Sequence, residues 1–414
     1  RYKRLQLADF LKAQGVNDDT VSMANPELFA QLDQLVGSLK PAQWQAFLRW
    51  RVGDTMAPYL SRTWRDTHFD FRGRLMRGDD AIPPRQQQVI DAINRAAGPM
   101  LGREYVSRYL TAAQRSRAEE IATRVRAALG ESLARDARLG PAAKAEAQAK
   151  LQALKIEIGA PRRDLDYTVQ PMGRGSFGGN MLIASTWRHR EEMKRIGKGN
   201  ADRRWDVLPQ QPSLAYDLAQ NRLIVTAAIL QGPVFNAKAD AADKFGSFGG
   251  LVGHELTRAI DAKGALVDAK GELRSWWTPA DKTAWTLLGN RVAAQYSAYD
   301  FPGVKGAKVN GTLTQEENLA DIAGLELAWA AYTAQEPKAK PAQQQGFFRA
   351  WSALWAQQLS PNEAVRRLTA DIRAPGLWRS NGTLANLPAF GATFSCKAGQ
   401  PMQRSEAEQI KVWR

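Results

Sequence analysis

His254-Glu255-Leu256-Thr257-Arg258 is the stretch in which residue types and spacing come nearest to a reaction. Helical residues four apart share a face, slightly more than one turn from each other. Two histidines at that spacing hold a zinc ion, and a glutamate directly after the first activates a metal-bound water to cleave a peptide bond. Here the first histidine and the glutamate are present, but the second histidine position is Arg258. A guanidinium is always protonated and carries only donors, so it has no lone pair to give a metal.

Further carboxylates stand within reach of the same chemistry. Asp261 follows His254 by seven residues and falls near the same helix face. Glu317 and Asp321 are four apart in Glu317-Asn-Leu-Ala-Asp321, so one can ligate a metal while the other orients a ligand. The residues alone leave two readings open: a partial metal site, or a polar cluster satisfied by ion pairs. A buried guanidinium without a partner is costly, so an enclosed Arg258 is expected to pair with Glu255, Glu317 or another carboxylate. His68 and His189, the two other histidines, read as ordinary surface or packing residues.

Helices must position these groups. Leu251 to Asp261 reads as one, Glu316 to Tyr332 as another, and an apolar run from Leu223 to Leu230 as a buried strand. Further helices are expected at 26–39, 41–59, 279–299 and 343–358. The last carries Phe347, Phe348, Trp351 and Trp355 as a core face. Ile121, Val125, Leu129 and Leu133 recur every four residues, which predicts an amphipathic helix over 112–133. Gly173-Arg-Gly175-Ser-Phe-Gly178 satisfies GxGxxG, but a dinucleotide site would also require a strand-loop-helix context and a ribose-binding acid, and no HRD or DFG elements follow, so it reads as a surface or domain-crossing loop. The fold class expected is predominantly α with a smaller β component.

The motifs extend well beyond the HELTR stretch. Ala-Ala-Ile-Leu-Gln-Gly-Pro-Val-Phe within 224–235, the run from Phe248 to Asp261, Gly271-Glu-Leu-Arg-Ser-Trp-Trp-Thr278, Glu317 to Asp321, Phe394 to Met402 and Lys411-Val-Trp413 occur in order across the chain. In this the chain resembles the neprilysin-like family of zinc metalloendopeptidases over nearly its whole length. The resemblance implies a thermolysin-like gluzincin domain and a mostly helical second domain around a peptide cavity. The borders expected are 1–165 for the helical domain, 166–210 for a connecting region and 211–414 for the peptidase-like domain. A substantial amino-terminal part of a typical member is expected to be missing.

By the same resemblance His254 and Glu317 occupy zinc-ligand positions, Glu255 the general-base position, and Asp261 and Asp321 supporting positions. Arg258 replaces the remaining ligand. Asp371-Ile-Arg373-Ala-Pro375 resembles a DxHxP segment, which puts Arg373 where a histidine stabilises the oxyanion, and Arg379 keeps a substrate-facing or structural arginine. Ser213-Leu214 stands where an Asn-Ala pair binds peptide backbone. Three departures in one site imply a noncatalytic pseudopeptidase without a cofactor. The alternative is a residual zinc peptidase.

Composition narrows the partners. The chain has 414 residues and a formal net charge of +15, which reads as an arginine-rich surface and supports no specific nucleic-acid interaction. Cys396 is the only cysteine, so no internal disulfide forms, and by the resemblance Ile410 stands at a later cysteine position. No run approaches the length of a membrane span. The resemblance implies as partners a peptide or protein ligand, a separate amino-terminal fragment or a homologous peptidase, and a periplasmic or otherwise extracytoplasmic location.

Overall fold

The periodicity at 112–133 becomes a real helix, and what it packs against fixes the frame of the site. The computed structural model describes residues 2–17, 20–21, 23, 25–162, 170–196, 205–397 and 399–413. Along the chain the first helices are α1 (Leu7–Ala13), α2 (Pro26–Ser38), α3 (Pro41–Met56), α4 (Arg62–His68), α5 (Arg85–Tyr109), α6 (Ala112–Arg135), α7 (Pro141–Ala153) and α8 (Phe177–Met193). The rest are α9 (Ala241–Lys244), α10 (Gly250–Thr257), α11 (Pro279–Ser297), α12 (Gln315–Gln335), α13 (Pro341–Leu354), α14 (Pro361–Ala370), α15 (Gly376–Leu384) and α16 (Pro388–Phe394). The strands are β1 (Lys155–Gly159), β2 (Leu214–Asp217) and β3 (Arg222–Thr226). The chain is predominantly helical with a minor strand component, as expected from the sequence.

The chain divides into two compact units, Arg1–Met100 with Arg163–Arg204, and Leu101–Arg162 with Trp205–Arg414. Of the expected connecting region 166–210, 166–169 and 197–204 lie outside the described residues, and the second unit takes in Leu101–Arg162 of the expected helical domain 1–165. The physical reason is α6. Ile121, Val125, Leu129 and Leu133 are all fully buried, and the helix packs on α10 and α12 of the second unit. A Thr111–Gln114 capping box starts it.

In the second unit the sheet has the order β1-β3-β2, with β3 parallel to β1 and antiparallel to β2. Leu223 and Val225 of the expected strand are fully buried in the core that α6 shares, and β2 lies at the edge. The strand ends at Thr226 instead of reaching Leu230, because the chain turns there through Leu230 N–H to Ala227 O. Cys396 packs partly buried against this core, and Ile410 is buried in a second cluster beside Tyr296 and Ile322.

Helix α12 is buried almost all round, which is the pattern of a helix running through a core. It crosses α10 at two glycines. A Cβ on Gly253 would lie 2.7 Å from Gly324 Cα, and a Cβ on Gly324 would collide with the His254 backbone nitrogen. Only glycine permits this approach, and the approach is what sets His254 beside Glu317 and Asp321. Gly324→Ala is therefore expected to destabilise the fold by about 1–3 kcal/mol through overpacking. Urea unfolding checks this, and an unchanged midpoint would show that the helices can part without cost.

In the first unit the GxGxxG loop is a helix start. Ser176 caps α8 through Gly179 N–H, while Asn180 exchanges hydrogen bonds with the backbone of Gly173 at 3.1 and 2.7 Å. Among the described residues no strand precedes it within this unit. His68 binds Asp54 at 2.9 Å and His189 is exposed, so both are ordinary residues of this unit. Among the described residues no helix is long and apolar enough to cross a membrane.

Candidate functional site

Two helices and one turn bring the sequence candidates together. α10 carries His254 and Glu255 but ends at Thr257, short of the expected Asp261. Beyond it the backbone tightens, with Arg258 N–H on Glu255 O at 3.0 Å and Ala259 N–H on Leu256 O at 3.1 Å. Asp261 then accepts the N–H groups of Lys263 and Gly264 at 2.9 and 2.8 Å. That turn leaves its other oxygen, Oδ2, 3.2 Å from Arg258 Nη1.

From α12, Asp321 is fully buried and faces two cations. Its Oδ1 lies 2.7 Å from His254 Nδ1, and both carboxylate oxygens accept from the Arg379 guanidinium at 2.7 Å. Arg379 comes from α15 and lies over the Trp355 ring, 3.6 Å from its centroid. Glu317, one turn before Asp321, pairs through Oε1 with Arg258 Nη2. Its Oε2 sits 3.2 Å from Arg373 Nε and 3.5 Å from His254 Nε2 without an aligned hydrogen bond to either.

Glu255 is turned elsewhere. Its Oε2 accepts the N–H of Tyr216 on edge strand β2 at 3.0 Å, and its Oε1 is 3.9 Å from His254 Nε2. Ser213 and Leu214 stand at the head of that strand. Ser213 spends its backbone on the sheet, donating to Thr226 Oγ1 at 2.9 Å and accepting from Thr226 N–H at 3.0 Å. The strand reaches the cluster two residues after Leu214, at Tyr216.

The charges follow from these contacts. Burial alone would raise the Glu317 and Asp321 carboxyls, but His254 and Arg258 beside the first, and Arg379 and His254 beside the second, hold each at about 2. Burial pulls the His254 imidazole down, yet its hydrogen bond to Asp321 and the charge of the nearby Glu317 carboxylate prevail and hold it up at about 9. Burial also pushes the Glu255 and Asp261 carboxyls above their usual range.

These shifts have opposite consequences on the two sides of neutrality. The carboxylates, lowered from 3.8 and 4.5 to about 2, contribute stability above pH 4.5 that is lost as pH falls towards 2. His254, raised from 6.5 to about 9, contributes stability below pH 6.5 that is lost as pH rises through 9. Glu326 and Lys150, held at about 7 and about 8, titrate in the same alkaline range. The expected result is therefore a difference: urea stability of the native chain should fall between pH 6.5 and 9 more steeply than that of His254→Gln. Parallel curves would mean that His254 is not held protonated.

One structural cation was not legible beforehand. Lys150 lies on the alanine-rich helix α7, and its ammonium is buried and donates to Gly264 O and Val267 O at 2.8 and 2.7 Å. It anchors the segment that follows the Asp261 turn. The signal was its place on one face with Ala143, Ala147 and Leu151.

Comparison with known proteins gives the family and the fold. Two family models match, both described as Peptidase family M13, one over residues 1–161 and one over 215–410. The chain belongs to peptidase family M13. It is 24% identical to Neprilysin-3 of Drosophila melanogaster over 96% of this chain and 52% of that protein. Identity to the endothelin-converting enzyme homolog of Locusta migratoria is 27%, over 89% of this chain and 52% of that one. A zinc metalloprotease of Mycobacterium tuberculosis, solved with an inhibitor, superposes with a TM-score of 0.86 at 27% identity, covering 93% of this chain and 60% of that one. PEPO from Lactobacillus rhamnosis gives 0.84 at 28% identity, over 92% and 60%. The chain thus spans about half the length of the curated relatives it matches.

The metal that the family implies does not fit the residues present. Arg258 offers no lone pair, and its cation already holds one Glu317 oxygen. A second guanidinium, that of Arg373, stands at the other oxygen. Among the described residues, no group of three or more His, Cys, Asp or Glu side chains is arranged to hold a metal ion.

Proposed function

We propose that this chain is a noncatalytic member of peptidase family M13 that binds a peptide or protein segment without cleaving it. The observation that carries the reading is the Arg258–Glu317 ion pair: a fixed guanidinium charge takes the place of a metal charge between α10 and α12. It accounts for why the cluster is retained after the zinc chemistry has gone. The four cations His254, Arg258, Arg373 and Arg379 balance carboxylates that would otherwise repel one another inside the core.

Edge strand β2 supports the binding half of the proposal. Extended peptides add to the free edge of a sheet through backbone hydrogen bonds, and Leu214, directly after Ser213, opens this strand. The site is assigned no cofactor, and the location is taken to be extracytoplasmic.

Metal analysis of purified protein together with hydrolysis assays on a mixed peptide library tests this. The expected outcome is no stoichiometric zinc and no turnover, with saturable binding of some library peptides. Stoichiometric zinc with turnover abolished by Glu255→Ala would defeat it in favour of a residual peptidase.

A further inference from the structure

The first unit contains a cavity of about 470 Å³ lined from Asp54 to Arg95, built wholly of described residues. Its volume is in the range of small-molecule pockets. Tyr59, Phe69, Ile82 and Pro83 give it apolar walls. Tyr59 is held in place by an edge-on contact with Phe177 at 5.5 Å, and Phe69 is buried.

Its polar lining carries an excess of positive charge. Arg65 and Arg95 both line the cavity, and neither guanidinium has an ion-pair or hydrogen-bond partner among the described residues. Arg65 Nε is buried as well as unpaired, a costly arrangement unless an acceptor comes from outside. The carboxylates nearby do not serve. Asp54 is taken by Arg72 at 2.6 Å and His68 at 2.9 Å, and Arg77, a third lining arginine, is paired with Asp79 at 2.7 Å. Asp91 has one oxygen on Gln87 at 2.8 Å and makes no ion pair with either free arginine, so it offsets at most one of the two charges.

We propose that this cavity is a binding site for a small organic anion, a carboxylate on an apolar body, with Arg65 and Arg95 receiving the charge and the Tyr59 and Phe69 side the body. Guanidinium is suited to this because it presents donors in a planar fork that matches a carboxylate. The site is independent of the α10–α12 cluster.

Phenylacetate serves as the probe, titrated calorimetrically into the full chain. Phenylacetamide is its neutral isostere, and inorganic phosphate is an anion without an apolar body. One saturable phenylacetate site per chain is expected, with affinity at least about tenfold above that for either control. Arg65→Gln and Arg95→Gln should each weaken phenylacetate about tenfold, since each removes a charge-assisted bond, while the exposed Arg349→Gln changes nothing.

Equal affinity for phenylacetamide, unchanged affinity in both Gln variants, or no saturable binding at about 10 mM, weak even for a fragment, overturns the assignment. Phosphate binding as well as phenylacetate would overturn the apolar half of it. If Arg65→Gln fails to fold, Arg65→Lys keeps the charge but removes the buried Nε. Unchanged affinity in that variant overturns the role given to Nε.

Discussion

Arg258→His is expected to hold one zinc ion per chain, where the native chain is expected to hold none. The supporting groups are already in place. His254 has its Nδ1 engaged by Asp321 at 2.7 Å, which turns Nε2 towards Glu317 at 3.5 Å. A carboxylate behind a ligating histidine fixes its tautomer and raises its basicity. Asp261 stands 3.2 Å from the Arg258 guanidinium, close to where a shorter imidazole would need the same kind of support. Removing Arg258 also frees Glu317 Oε1 and withdraws the charge that repels a dication. Metal analysis of the variant reads the result directly. Thermal stability gives a second readout, because zinc at about 100 times its dissociation constant should add roughly 2.7 kcal/mol that a chelator removes. A variant that folds and still binds no zinc would show that Arg373, or the early end of α10, also blocks the site.

Asp321→Asn is expected to cost about 3–5 kcal/mol, as breaking one partner of a buried ion pair does. Asp321 is fully buried and serves His254 and Arg379 together. An asparagine of the same shape can accept one bond but brings no charge. His254 escapes part of the penalty by releasing its proton, so its pKa should fall from about 9. Arg379 has no such escape, because guanidinium stays protonated and this one is buried against Trp355. Urea unfolding and imidazole NMR titration measure the two effects. The double variant Asp321→Leu with Arg379→Met should recover much of the loss, since apolar residues replace buried ion pairs at little cost. A single variant as stable as the native chain would mean that water enters and screens the pair.

The two predictions probe different properties of the cluster. The first tests whether its geometry still has the form of a metal site, and the second whether its charges now hold the core together. Both hold if the site has changed from chemistry to structure while keeping its frame.

Much of this was legible from local sequence. The four-residue spacing of His254 and Arg258 on a helix, and of Glu317 and Asp321 on another, follows from helical geometry, and the absence of a lone pair on arginine follows from its chemistry. The buried stripe of α6 and the aromatic face of α13 were readable for the same reason, because each is a periodic pattern within one element. The family resemblance rested on motifs in order along the chain, and both family models agree with it.

Only the tertiary structure decided which carboxylate meets which cation. Arg258 had several acids within plausible reach, and the Gly253–Gly324 crossing selected Glu317 by letting α10 and α12 approach closely. Arg373 faces Glu317, and Arg379 faces Asp321, because α15 and the segment before it are folded back onto α12 from more than fifty residues away in sequence. Spacing along a chain fixes neighbours on one helix. It says nothing about the partner across a packed interface, where long-range side-chain packing and burial set both the pairing and the charge.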